Sequence, residues 1–199
     1  MRSNICKIEN GTKDLAAILK ECEKVAVYNE LTHKQALHLR LICEELDGML
    51  PNIIDNFNGD LWIELEDGVC KVNVSLKFDE FTAEKKSELV GIAKNKRNAS
   101  AVGIVGKIRS AIEDLFLNED TISGFEIAAN SFHYATEYYD HRDYSGLWTL
   151  DQYRSSVKNS SKAEDWDELE KSVIASVADD VIVGVKGKKA DIIIIKKFA

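Results

Sequence analysis

The chain has 199 residues, is 45% hydrophobic and 30% charged, and carries a formal net charge of -8. Such a length supplies one sizeable core. The acidic balance argues against bulk nucleic-acid binding and against an anionic membrane surface. No apolar run approaches the roughly 20 residues that span a bilayer, and residues 1–9 hold no hydrophobic signal region. A cytoplasmic protein of one domain is expected.

Residues 3–8 read as a short strand. From Thr12 to Tyr28 the residues Leu15, Ile18, Leu19, Cys22, Val25 and Ala26 share one helical face, with Thr12 as N-cap. A long helix follows, from near Thr32 to about Phe57. Its apolar residues Leu39, Ile42, Leu46, Met49 and Ile53 step by three and four, which draws one buried stripe. His38, Glu45 and Asn52 flank that stripe. Gly48 sits inside the helix at a cost of roughly 1 kcal/mol against alanine, so a group is expected to approach the backbone there. Pro51 is the only proline. Its ring clashes with the carbonyl of Asp47, which predicts a kink or a break.

A hairpin comes next. The stretch 61–66 alternates, Asp67-Gly68 is a type I′ turn signal, and 69–78 alternates again. A two-residue loop pairs Glu66 with Val69, Leu65 with Cys70, Ile63 with Val72 and Leu61 with Val74. The last three pairs are apolar, while Glu64 faces Lys71 on the other side. Residues 82–93 read as helix. Between Lys94 and Arg109 lie five basic residues and no acidic one. Its first part, 94–101, reads as loop, and Gly103 precedes a helix carrying Ile104, Ile108, Ala111, Ile112 and Leu115.

Residues 118–160 read as irregular, an aromatic-rich insertion or arm on the core. They contain eight aromatic residues, among them Tyr144, Trp148 and Tyr153. The pattern Ser161-Lys-Ala-Glu164 is a capping box opening a helix, with Trp166, Leu169, Val173 and Val177 inward. The chain closes in a second hairpin, 181–185 with 191–195, around Gly187. There Ile192 to Ile195 puts isoleucine on both faces of one strand. The face of Ile193 and Ile195 must be covered, by the aromatic stretch or by another subunit in a homodimer.

The cysteines Cys6, Cys22, Cys43 and Cys70 form no CxxC pair and no zinc spacing with a histidine. Three of them fall on predicted core faces, so reduced, buried thiols are expected. His133, Glu137, Asp140 and His141 lack a period that would converge them on a metal. There is no G-x-S-x-G, no cysteine beside a histidine and no HExxH.

The order of elements predicts an α+β fold, a two-layer sandwich of a mostly antiparallel sheet with helices on one face. It resembles the Bergerat-type ATPase superfamily, which includes histidine kinases, the gyrase and Hsp90 ATP domains and bacterial anti-sigma serine kinases. The segments 38–49, 99–113 and 166–198 look most like uncharacterised bacterial proteins described only as ATP-binding. Three motifs carry over. In the N-box, a glutamate polarises the attacking group and an asparagine four residues later ligates Mg²⁺. Glu45 fits the first role; Met49 stands in the second, and a thioether suits a hard cation poorly. Asn52 is about 10 Å further along the axis. In the adenine motif D-x-G-x-G, Asp79 is in place, but Phe81 and Ala83 replace the glycines. The phosphate-binding glycine loop corresponds to Gly103, Gly106 and Lys107, with Lys94 among the nearby cations.

The resemblance implies a regulatory protein-binding module related to anti-sigma factors, with no ATP site or a weak one and an unidentified protein partner. The alternative is an active ATP-dependent protein serine kinase. A third reading is an assembly role through the doubly apolar terminal strand. Glu45 reads either as a solvated helix residue or as a catalytic carboxylate. The segment 94–109 reads as a solvated loop or as an anion site.

Overall fold

Two hairpins and the helices between them set the architecture. The computed structural model describes residues 1–10, 15–54, 56–78, 103–117, 147–159 and 172–198. In chain order the elements are β1 (Cys6–Glu9), α1 (Leu15–Tyr28), α2 (His33–Ile53), β2 (Phe57–Glu66), β3 (Val69–Phe78), α3 (Gly103–Leu117), β4 (Leu147–Thr149), α4 (Leu150–Asn159), α5 (Val173–Val177), β5 (Asp180–Lys186) and β6 (Lys189–Lys197). The strands form one six-stranded sheet in the order β1-β2-β3-β6-β5-β4, with every pair antiparallel. This is the expected α+β class. No helix among the described residues is long and apolar enough to cross a membrane.

The first hairpin has the register its alternation predicts: Leu65 opposite Cys70, Ile63 opposite Val72 and Leu61 opposite Val74. Asp67 and Gly68 both adopt positive φ, 49° and 77°, as a type I′ turn requires. β2 starts at Phe57, four residues before its clear alternation, because Gly59 interrupts the pattern. A side chain at Gly59 would stand 2.3 Å from the Ser75 carbonyl oxygen, so only glycine allows this close approach of β2 to β3. The second hairpin pairs Val181 with Ile194 and Val183 with Ile192. It turns at Gly187, whose φ is +56°.

One face of the sheet meets all five helices. Leu61, Ile63, Val72, Val74, Val183, Ile192 and Ile194 are buried there with the stripe Leu39, Ile42, Leu46, Met49 and Ile53 of α2. Ile18, Cys22 and Val25 of α1 join them, as do Ile104, Ile108 and Ile112 of α3. The opposite face is divided. Along β2 and β3 it is polar: Trp62 donates to Glu64, Asn73 donates to Glu64, and Arg2 lies 4.9 Å above the Trp62 ring. Along β4, β5 and β6 it is apolar, with Leu147, Ile182 and Ile195 buried and Val69 and Ile193 packed beside them. Ile195 is thus covered, as its position demands.

Several expectations are corrected. Residues 147–159 are not irregular: they form β4 and α4. The Thr149 hydroxyl accepts from the N–H of Gln152, and the Asp180 carboxylate accepts from that of Asp151, which together cap α4. The expected helix opened at Ser161, with Trp166 and Leu169, lies outside the described residues; at Ser172 the backbone is extended. The Ser172 hydroxyl caps a separate short helix, α5, by accepting from Ala175 N–H. Ile174 and Ala175 point inward from it, while Val173 and Val177 are half-buried. Pro51 does not end α2 at once; the helix continues to Ile53. Nothing among the described residues lies within 4 Å of where a Gly48 side chain would begin, so the expected close approach is not there. Thr12 and the expected helix and loop over 82–101 lie outside the described residues, as do His133, Glu137, Asp140 and His141.

Candidate functional site

The candidate site is the seam where the C-terminal half of α2 meets the N-terminal half of α3. α2 is started by a capping box. The Thr32 hydroxyl accepts from Gln35 N–H, and the Gln35 side chain accepts from Thr32 N–H at 2.8 Å. From that start the 3.6-residue period turns Leu46 and Met49 inward and leaves Glu45 exposed.

Glu45 forms no ion pair among the described residues, whereas its neighbour Glu44 pairs with Arg40 at 2.9 Å. Met49, four residues on, is 4% exposed and belongs to the core. Asn52 is exposed, but its amide donates to the Gly48 carbonyl at 3.2 Å. That bond supplies a second donor near Pro51, the ring that deprives this turn of one N–H. Met49 therefore presents no oxygen beside Glu45, and Asn52 sits two turns, about 10 Å, further along the helix.

From the other side, Ile104, Ile108 and Ile112 seat α3 in the core, and Gly106 is buried among them. Gly103 is the first residue of α3. The Lys107 ammonium lies 5.4 Å from the centre of the Tyr153 ring on α4, and Tyr153 in turn lies 6.1 Å from Trp148. This is cation–π geometry. Arg109 donates to the Asn52 carbonyl at 3.4 Å and pairs with Glu113 at 2.9 Å. It closes the end of α2, where a free carbonyl favours a cation.

The structure places Glu45 on α2 and Gly106 and Lys107 on α3, two helices that meet through Arg109 and the Asn52 carbonyl. Asp79 and Lys94 lie outside the described residues. Arg109 belongs to the basic segment 94–109 and Tyr153 to the aromatic stretch, but the contacts of Arg109 with Asn52 and of Lys107 with Tyr153 join residues distant in the chain. Chemically, Glu45 can accept a proton or a hydrogen bond from a hydroxyl or a water. Lys107 and Arg109 carry positive charge that an anion could share with the ring and the carboxylate they now face. Among the described residues no group of three or more His, Cys, Asp or Glu side chains is placed to hold a metal ion.

Comparison with protein-family models, with curated proteins and with solved structures finds no match for this chain.

Proposed function

We propose that this chain is a regulatory protein-binding module on a Bergerat-like fold, related to anti-sigma factors and working in the cytoplasm, with nucleotide binding lost or weak. The observation that carries this reading is Met49. Where the superfamily has its Mg²⁺-binding asparagine, this chain has a thioether that is 4% exposed and packed in the core. A hard cation takes oxygen ligands, and a core methionine offers none. The sheet order supports the fold half of the reading, because the hairpin after α2 lies beside the C-terminal hairpin.

Exposed apolar side chains support the protein-binding half. Val27 is 80% exposed and Tyr28 73%. With Met1 they line a shallow depression of about 550 Å³ edged by Lys20, Glu23 and Lys24. An apolar centre with a charged rim suits a partner protein with its own apolar surface.

The kinase reading stays second because Glu45, the residue in the role of the polarising base, is exposed to solvent. Affinity capture from the native host separates the two. The module reading expects a partner retained without ATP, retained by Glu45→Ala and lost on Val27→Glu. A partner captured only with Mg²⁺ and ATP, and lost on Glu45→Ala, would replace the module by the kinase.

A further inference from the structure

The four cysteines, scattered through the sequence, are all buried. Two of them meet. Cys22 sits on the inner face of α1 and Cys43 on the inner face of α2, 21 residues apart in the chain. Their sulfurs are 3.1 Å apart, with the Cys22 thiol donating to the Cys43 sulfur. A disulfide bond is about 2.05 Å long, so the remaining gap is about 1 Å, within the reach of small side-chain rotations. Among the described residues no group of three or more His, Cys, Asp or Glu side chains is placed to hold a metal ion there. Cys6 and Cys70 are placed on β1 and β3, under the same helices.

We propose that Cys22 and Cys43 are a latent disulfide, which a hydroperoxide closes to lock α1 onto α2. The Cys22 thiolate attacks one peroxide oxygen. The O–O bond breaks, the alcohol or water leaves with a proton, and Cys22 becomes a sulfenic acid. The Cys43 sulfur then attacks the Cys22 sulfur. The S–S bond forms, the S–O bond breaks, and the hydroxide leaves as water with the Cys43 proton. Two thiols lose two electrons and the peroxide gains them.

Cys22 is the entry point because it is 4% exposed while Cys43 is fully buried. The contact with Cys22 and the loss of solvent push the Cys43 thiol well above its ordinary value, so Cys43 stays a protonated thiol and serves as the resolving partner, not as the attacking thiolate. The same contact directs the outcome: a sulfenic acid formed on Cys22 has a thiol beside it and is resolved before a second oxidation. Burial also pushes the Cys70 thiol up to about 12, so its thiolate is scarce.

The test uses the whole chain, purified under reductant and then exposed to hydrogen peroxide at mildly alkaline pH. Intact mass should fall by about 2 Da as two hydrogens are lost. Non-reducing peptide maps should join the Cys22 and Cys43 peptides, and dithiothreitol should restore the mass. The cross-linked chain should melt at least about 5 °C higher. Cys6→Ser and Cys70→Ser should keep the change; Cys22→Ala and Cys43→Ala should each abolish it. Both alanine variants are used so that a folding defect in one does not decide the matter. Thiols that survive unmodified, sulfinic acid at Cys22, or a bridge to Cys6 or Cys70 would each overturn the proposal.

Discussion

The two hairpins share one inner face but differ on the outer one. In β2–β3 the outer residues are Trp62, Glu64, Lys71 and Asn73; Trp62 and Asn73 donate to Glu64, Asn73 donates to the Lys71 carbonyl, and Arg2 pairs with Glu64. In β5–β6 they are Ile182, Ile193 and Ile195, joined to Leu147 of the edge strand. The change occurs between neighbouring strands, for Lys71 lies directly opposite Ile195 and Asn73 opposite Ile193. A sheet packed on one side only needs one apolar face. The polar half obeys that rule, and the apolar half is buried on both faces. Sequence alternation therefore reports not only strands but also which part of a sheet is covered twice.

Substitutions can break this contrast. The largest effect is expected on the inner face, which both halves share. Leu46 is fully buried, and Leu46→Ala should cost about 2–5 kcal/mol in denaturant melts; a loss under about 0.5 kcal/mol would remove α2 from the core. On the outer face the halves should part. Ile195→Ala should cost at least about 2 kcal/mol, because the side chain is 2% exposed. Lys71→Ala, one strand away on the same face, should cost under about 0.5 kcal/mol. Equal losses at these two positions would erase the boundary between β3 and β6.

Gly59→Ala should cost about 1–3 kcal/mol, since the added methyl meets the Ser75 carbonyl and the strands must separate. A small effect is also expected where α1 meets the segment before β1. Glu21 is buried beside Asn4, whose backbone N–H and side chain both donate to it. The hydrogen bond from Lys24 comes first in holding its carboxyl below the ordinary 4.5, with those from Asn4 adding to it. A lowered carboxylate stabilises the fold above its unfolded value, and that contribution is lost as pH falls through the folded one. Relative to Glu21→Gln, the natural chain should therefore be more stable at neutral pH by under about 1 kcal/mol. The advantage should fade in acid. An advantage that persists well below pH 4 would refute the cause given.

Much of the fold was legible because its signals are local. The alternation of β3, the Asp67-Gly68 turn and the three-and-four spacing of α2 each act within about ten residues, and all three appear in the fold. α4 was missed although it has a local signal: Thr149-Leu-Asp-Gln152 fits a capping box. The helix it opens buries only Leu150 and Val157, too few apolar residues to draw a stripe. The seam of α2 and α3 was legible by half. Glu45 and Lys107 stand out by type and position, but Arg109 on the Asn52 carbonyl and Lys107 over Tyr153 depend on packing between distant segments. The pairing of Cys22 with Cys43 is of the same kind. Helix periodicity buries both thiols, but only the packing of α1 on α2 brings them together.

Nucleotide binding tests the central claim most directly. Isothermal titration with ATP, with and without Mg²⁺, should give no dissociation constant tighter than about 0.1 mM; millimolar affinity is worth only about -4 kcal/mol. Any weak binding should be indifferent to Mg²⁺ and to Glu45→Ala, and should be lost on Lys107→Ala. Micromolar binding that strengthens with Mg²⁺ and weakens on Glu45→Ala would contradict the account and make this chain an ATP-dependent enzyme.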